Sequence, residues 1–169
     1  MSLESIPDEI AGGDVTAYRR ALGAFATGVC VVTADSARGP LGITINSFTS
    51  VSLTPRLVLW CLDERSERWD AFCAADQFSI HVLDNRSEAL ARRFAKGIGL
   101  MQPHEFERAG DAPPRLSDVA ARFDCRTHDR VQMGDHMMMI GQVEGFETSD
   151  AAALTYFRGQ YGVAGSDQT

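Results

Sequence analysis

Most of the short motifs that announce an enzyme class are missing from this chain. Neither Gly-x-Gly-x-x-Gly nor a Walker glycine loop occurs, so a dinucleotide, if bound, is not held in a Rossmann manner. Gly-x-Ser-x-Gly is absent too, although a catalytic triad needs no sequence proximity. There is no Cys-x-x-Cys and no His-Glu-x-x-His, and the four His are scattered, which leaves a metal site without support. Paired-carboxylate hydrolysis needs two specific acids, and 23 Asp and Glu give no way to nominate them. No apolar run approaches the roughly 18 residues of a membrane span. The first ten residues carry acid where a secretory signal carries base. The expectation is a cytoplasmic protein with no membrane partner. Extended runs of Lys and Arg are missing and the net charge is −7, which argues against nucleic acid as a partner. That balance still allows a local basic pocket for an anionic cofactor. Internal repeats and low-complexity stretches are absent.

What is present fits one folded domain. The chain has 169 residues, 44% hydrophobic and 23% charged. The four cysteines, Cys30, Cys61, Cys73 and Cys125, are spread out and mostly lie in apolar runs, which predicts buried reduced thiols. Residues 1–13 read as a loose polar arm, 14–163 as the domain, and 164–169 as a polar tail.

Along the domain, Asp14 is placed to cap a helix over Val15–Ala26, whose stripe Val15, Tyr18, Leu22 and Phe25 predicts packing on the body of the domain. Apolar or β-branched runs predict strands at 29–33, 41–46, 49–53 and 57–62. Four strands within about 35 residues arrive too close together for parallel crossovers, so the sheet should be antiparallel. Ser66 is placed to cap a helix over 67–75, and Ser87 begins a second helix that runs to Ala95. Further strands are expected at 77–83, 121–131, 137–147 and 154–157, with Ser79 and His81 on the polar side of the first of these. Ile98–Pro114 is irregular and carries three of the six prolines, the pattern of a functional or mobile connection. The fold expected is mainly β with helices (α+β), an antiparallel barrel or sandwich.

Three features could carry chemistry. Leu41–Pro55 holds seven hydroxyl or amide side chains among apolar ones: Thr44, Asn46, Ser47, Thr49, Ser50, Ser52 and Thr54. A strand–turn–strand edge of that kind suits a phosphate or a polar heterocycle, or is simply a Ser/Thr-rich sheet surface. The cluster Arg92-Arg93-Phe94-Ala95-Lys96 could neutralise a phosphate, or be a solvated helix face. Gly134-Asp135-His136 could bring a histidine to a site, or cap a hairpin.

Taken together and in register, these pieces resemble the flavin reductase family. The resemblance runs through Phe25-Ala-Thr-Gly-Val-Cys-Val-Val-Thr33, Gly42-Ile-Thr-Ile-Asn-Ser-Phe-Thr-Ser-Val-Ser52 and Pro55-Arg-Leu-Val-Leu-Trp60. It continues at Ser66, Ala91-Arg-Arg-Phe-Ala95, Gly134-Asp-His136 and Tyr156-Phe-Arg-Gly-Gln-Tyr-Gly162, covering most of residues 15–163. It implies a flavin-binding split β-barrel, a homodimer, and reduction of FMN or FAD by NADH or NADPH with release of reduced flavin to a partner oxygenase. Carried over, Gly42, Ile43, Thr44, Asn46, Ser47 and Ser52 should line the flavin, with Cys61, Leu62 and Ser66 completing the wall beside ring and ribityl chain. Arg93 and Lys96, flanking Phe94, should face the phosphate, while His136, Arg158 and Tyr161 match positions near the nicotinamide, with His136 the candidate catalytic residue. The segment 98–114 matches the family only loosely, at His104-Glu-Phe106, so nucleotide preference stays open. The same fold also serves reductases of a flavin-linked corrin and non-catalytic flavin- or heme-binding proteins, and a Ser/Thr edge could equally pair with another protein.

Overall fold

The structure, a computed structural model, describes residues 15–164. The arm over 1–13, the proposed cap Asp14 and all but the first residue of the tail lie outside that range. The elements are α1 (Val15–Leu22), β1 (Thr27–Gly28), β2 (Cys30–Ala34), β3 (Leu41–Ile45), β4 (Thr49–Leu53), β5 (Arg56–Asp63), α2 (Trp69–Ala74), β6 (Gln77–Leu83), α3 (Glu88–Phe94), β7 (Val119–Met133), β8 (His136–Thr148), β9 (Leu154–Phe157) and β10 (Gln160–Val163). Every strand pair is antiparallel, as expected.

A seven-stranded sheet runs β3-β2-β6-β7-β8-β5-β4, and a three-stranded sheet runs β1-β9-β10. β3 and β4 lie at opposite edges of the larger sheet, yet only Asn46, Ser47 and Phe48 separate them in sequence. Four Cα steps of extended chain span at most about 14 Å. The sheet therefore has to roll until its two edges approach, leaving a barrel split between β3 and β4. The long β7–β8 ribbon assists the roll, with register shifts at Asp124/Cys125 and Thr127/Asp129. Its turn uses Gly134 at φ +59, a conformation side chains disfavour.

Two cores share β2, whose five residues are all buried. Cys30, Val32 and Ala34 join Trp60, Phe72, Phe78 and Met139 inside the barrel. Val29 and Val31 join Leu83, Ala91, Phe94 and Leu154 beneath α3 and the smaller sheet. Burial on both faces is why this strand reads as a continuous apolar run rather than an alternation. Trp60 anchors the first core, edge-on to Phe72 at 5.1 Å and to Phe78 at 5.9 Å.

Four local expectations change. The first helix stops at Leu22, and its stripe does not pack on the body: Val15 is 59%, Tyr18 66%, Leu22 56% and Phe25 75% exposed. Ser66 makes no side-chain cap, and the second of these helices begins at Glu88, with Ser87 before it donating to Asp84 Oδ1 at 2.6 Å. His81 is fully buried rather than wet, because the second face of β6 is covered by the connection before β7. That connection is not loose: Thr33 Oγ1 donates to the Pro114 carbonyl, Leu116 N–H to His81 Nε2 at 3.1 Å, and Arg108 bridges Asp35.

Candidate functional site

The split gathers the polar stretch and the ends of three elements. A groove of about 410 Å³ is lined by Ile43 and Thr44 of β3, Asp63 at the end of β5, Arg65–Arg68 of the following link, and Ala95–Gly97 after α3. Four expected site residues therefore share one concavity: Ile43, Thr44, Ser66 and Lys96. His136 stands at its margin, since β8 pairs His136 with the groove residue Asp63.

The other expected contacts divide by how they are held. Ser47 Oγ accepts from the Cys61 N–H at 2.9 Å, tying the β3–β4 link to β5. Thr44 Oγ1 donates to the Ala91 carbonyl at 2.7 Å, fixing α3 over β3. Both hydroxyls shape the split as much as they face a ligand. Asn46 is exposed and makes no hydrogen bond among the described residues, so its amide is free. Ser52 lies on the edge strand β4, its Oγ accepting from Thr54 N–H at 3.2 Å. Gly42 is buried under the Phe94 ring, where a Cβ would sit 3.0 Å from Phe94 Cδ1. Phe94 and Leu62 are fully buried, so neither side chain is open to a ligand. The half-buried Cys61 thiol is pushed up by burial, against a smaller lowering from Ser47, so it is not a thiolate at neutral pH.

The cations of the groove are unequal. Arg65 chelates Asp63 at 2.9 Å, and this pairing lowers the Asp63 carboxyl to about 2. Arg93 lies outside the groove lining and is turned onto Glu105 (3.3 Å) and the Leu100 carbonyl (2.8 Å). Lys96, the only lysine of the chain, is exposed and without an acidic partner among the described residues. Arg68 is the residue sequence reasoning missed. It is 4% exposed, its Nη2 donates to the carbonyls of Phe94 (3.1 Å) and Lys96 (2.9 Å), and its buried Nε has no partner. Burial lowers its pKa, with Glu67 opposing that shift and Arg93 adding to it. A guanidinium stays protonated even so. Gly99 closes over it: at φ +71, a Cβ there would lie 2.6 Å from Arg68 Nε and 2.2 Å from the Gly42 carbonyl. In sequence Arg68 is one charge among many in Asp63–Arg68, and nothing in the local pattern distinguishes it.

A buried cation without a counter-charge is costly, and an anion in the adjacent groove offsets that cost. Arg68 beneath and Lys96 beside the groove thus fit a phosphate monoester, and Asn46 adds an amide for a polar heterocycle. The nicotinamide candidates are not gathered in this way. His136 Nδ1 is 2.7 Å from Asp135 Oδ1 at the β7–β8 turn. Arg158 and Tyr161 belong to the β9–β10 hairpin, where Arg158 stacks on Phe157 at 5.2 Å and the Tyr161 ring meets Arg92 at 4.9 Å.

Comparison with known proteins agrees with this geometry. A family model described as the flavin reductase like domain matches residues 22–165. A probable flavin reductase from Rhizobium meliloti is 43% identical over 150 residues, covering 88% of this chain and 48% of the relative. The reductase subunit of stachydrine N-demethylase from the same organism is 40% identical, covering 88% of this chain and 65% of the relative. The chain thus spans about half to two thirds of these two relatives. Among solved structures, the NADH:FAD oxidoreductase of Streptomyces globisporus, in complex with NAD and FAD fragments, superposes with a TM-score of 0.85. It is 28% identical, over 99% of this chain and 100% of that one.

Proposed function

Because the chain belongs to the family of flavin reductase like domains, we propose that it is an NAD(P)H:flavin oxidoreductase that reduces FMN or FAD and hands the reduced flavin to a partner oxygenase. One observation of the chain itself carries the reading: the cations Arg68 and Lys96, which have no acidic partner among the described residues, meet at one groove beside the barrel split. When bound, the flavin supplies the hydride chemistry, and the protein contributes orientation and electrostatics.

The roles follow from what each side chain has free. Arg68 and Lys96 take the phosphate. Arg93 contributes only by releasing Glu105. Asn46 offers its amide to the heterocycle, while Ser47, Thr44 and Cys61 hold the walls of the split in position. Ser66 and Ile43 line the sugar-alcohol side. His136, with Arg158 and Tyr161, orients the nicotinamide. Hydride transfer needs donor and acceptor atoms within roughly 3–3.5 Å and no protein acid or base. No helix among the described residues is long and apolar enough to cross a membrane, in keeping with a cytoplasmic enzyme. The exposed stripe on α1 is suited to a homodimer contact. The name of the N-demethylase reductase subunit among the relatives supports an oxygenase partner.

The test is oxidation of NADH and of NADPH with FMN, with FAD and without added flavin. Turnover that saturates with free flavin is expected. Absence of turnover with both nucleotides, in protein shown to bind flavin, overturns the proposal in favour of a binding protein.

A further inference from the structure

At the end of the β7–β8 ribbon remote from His136, a cavity of about 470 Å³ opens beside the start of β7 and the close of β8. Its lining carries both signs of charge, unevenly distributed. Arg115 and Arg122 are sunk, their side chains 25% and 11% exposed. They share one carboxylate, that of Asp124. Arg115 Nη2 donates to its Oδ2 at 2.8 Å, and Arg122 Nε lies 3.4 Å from its Oδ1 without making a hydrogen bond. Ser79 Oγ donates to the same Oδ1 at 2.6 Å. The other partner of Arg122, Glu147, is 70% exposed. The Nε–H groups of both arginines are therefore buried with no acceptor among the described residues. A buried donor left unmade is costly, and more so on a charged group.

The acids of this lining show the converse. Glu107 and Asp118 are exposed and make no ion pair among the described residues. Glu107 is held opposite Arg115, the two backbones exchanging hydrogen bonds of 2.8 and 3.0 Å. Asp118 sits at φ +54, in the left-handed region that Asp tolerates. The remaining buried acid, Asp84, is already taken by Arg86 at 2.7 Å and by Ser87. Leu116, 4% exposed, with Val119 and Ala121, gives the cavity an apolar wall.

We propose that this cavity binds a small zwitterion: a carboxylate and a cationic nitrogen on a compact hydrocarbon frame, as in amino acids and betaines. The carboxylate completes the Nε–H donors of Arg115 and Arg122, and the cationic nitrogen faces Glu107 and Asp118. A phosphate dianion suits the guanidinium groups but is repelled by the acids. A bare cation suits the acids but is repelled by the guanidinium groups. A ligand carrying both charges answers both. The volume falls within the roughly 300–1,000 Å³ of small-molecule sites.

NMR on the full chain without flavin tests this through the arginine Nε–H resonances, assigned with Arg115→Lys and Arg122→Lys. The three probes share one ring: L-proline carries both charges, cyclopentanecarboxylate only the acid, and pyrrolidine only the cation. L-Proline should shift both resonances saturably, at lower concentration than cyclopentanecarboxylate, and pyrrolidine should leave them in place. Asn also tolerates the left-handed backbone, so Asp118→Asn removes a charge and keeps the fold, as Glu107→Gln does at its exposed position. The double variant should bind L-proline about fivefold more weakly and cyclopentanecarboxylate no more weakly than wild type. No saturable response to L-proline overturns the proposal and leaves the donors to water. Equal affinity for L-proline and cyclopentanecarboxylate overturns it as well, as does a double variant that binds L-proline like wild type. None of these readouts involves flavin or turnover, so the reductase reading stands or falls separately.

Discussion

Arg68→Met gives the sharpest test of the groove. Methionine keeps much of the length and volume of the stem, and removes the charge and the donors. Two effects on the protein oppose each other. The Phe94 and Lys96 carbonyls lose their bonds to Nη2, at about 1 kcal/mol each. A cation that is 4% exposed and has no counter-charge is no longer buried, which returns a comparable amount. Stability without flavin should therefore move by no more than about 1 kcal/mol. Flavin binding should move far more, and selectively. A charge-assisted hydrogen bond contributes roughly 1.5–3 kcal/mol, so FMN should bind about 10- to 100-fold more weakly. Riboflavin, which has no phosphate, should bind as before. The assay is paired titration of FMN and riboflavin on wild type and variant, by quenching of flavin fluorescence. Its cross-check is the rise in Tm that each flavin produces, which follows the logarithm of the dissociation constant. The ratio of the two affinities cancels any general distortion of the split. Equal losses for FMN and riboflavin would remove Arg68 from the phosphate, whatever their size.

Three further outcomes follow. His136→Ala should raise the KM for the nicotinamide nucleotide several-fold and change flavin affinity little; the reverse pattern in steady-state kinetics and flavin titration would sink its placement. Gly141→Ala should destabilise by about 1–3 kcal/mol, read as a lower urea midpoint, because the new Cβ would meet Phe78 Cζ at 2.6 Å and Cys125 Cβ at 3.0 Å; an unchanged midpoint would mean that the barrel core yields there. His81 donates from Nδ1 to the Val31 carbonyl and accepts Leu116 N–H at Nε2, and burial pushes its pKa from 6.5 to about 4. The unfolded chain therefore takes up a proton between pH 6.5 and 4 that the fold refuses, so stability is level above that window and falls by about 3 kcal/mol on reaching pH 4. In denaturant titrations across that range His81→Gln should lose this component of the slope, and parallel curves for the two proteins would contradict it.

How much of this could be read from the chain depends on whether a signal is local. The strands at 77–83 and 154–157 were legible to the residue, since β-branched and aromatic runs bounded by polar turns need no tertiary context. β1 and β10 were not, being short and containing Gly28 and Gly162, and existing only because β9 pairs with both. The stripe on α1 was correctly periodic, yet periodicity marks an apolar face without naming what covers it. His81 looked wet because alternation assumes that one face of a strand meets solvent, whereas β6 is covered on both. Within the site, Thr44, Ser66 and Lys96 were readable by position in the motifs. Arg68 was not, because its burial is made by Gly99, 31 residues on. Arg93 and Lys96 looked equivalent in sequence, and only the placement of Glu105 separates them.

The charge arrangement also bears on what kind of flavin site the groove would make. Missing partners alone do not make a site: Arg56 rests on Phe146, Arg130 donates to the Ala75 carbonyl, and neither converges with another free cation. Arg68 and Lys96 do converge, but Asp63 and Glu67 line the same groove. A phosphate arriving there gains two cations and meets two acids, one of them already neutralised by Arg65. The chain around it carries a net −7, so the field away from the groove repels an anionic flavin and the groove itself draws it in. Attraction confined to a short range and partly cancelled at contact favours exchange over retention. A reductase that hands reduced flavin to another protein needs that compromise, because a fully paired, deeply enclosed phosphate would leave too slowly. On this reasoning the affinity for FMN should weaken markedly with added salt, since the cations that hold the phosphate border an open groove.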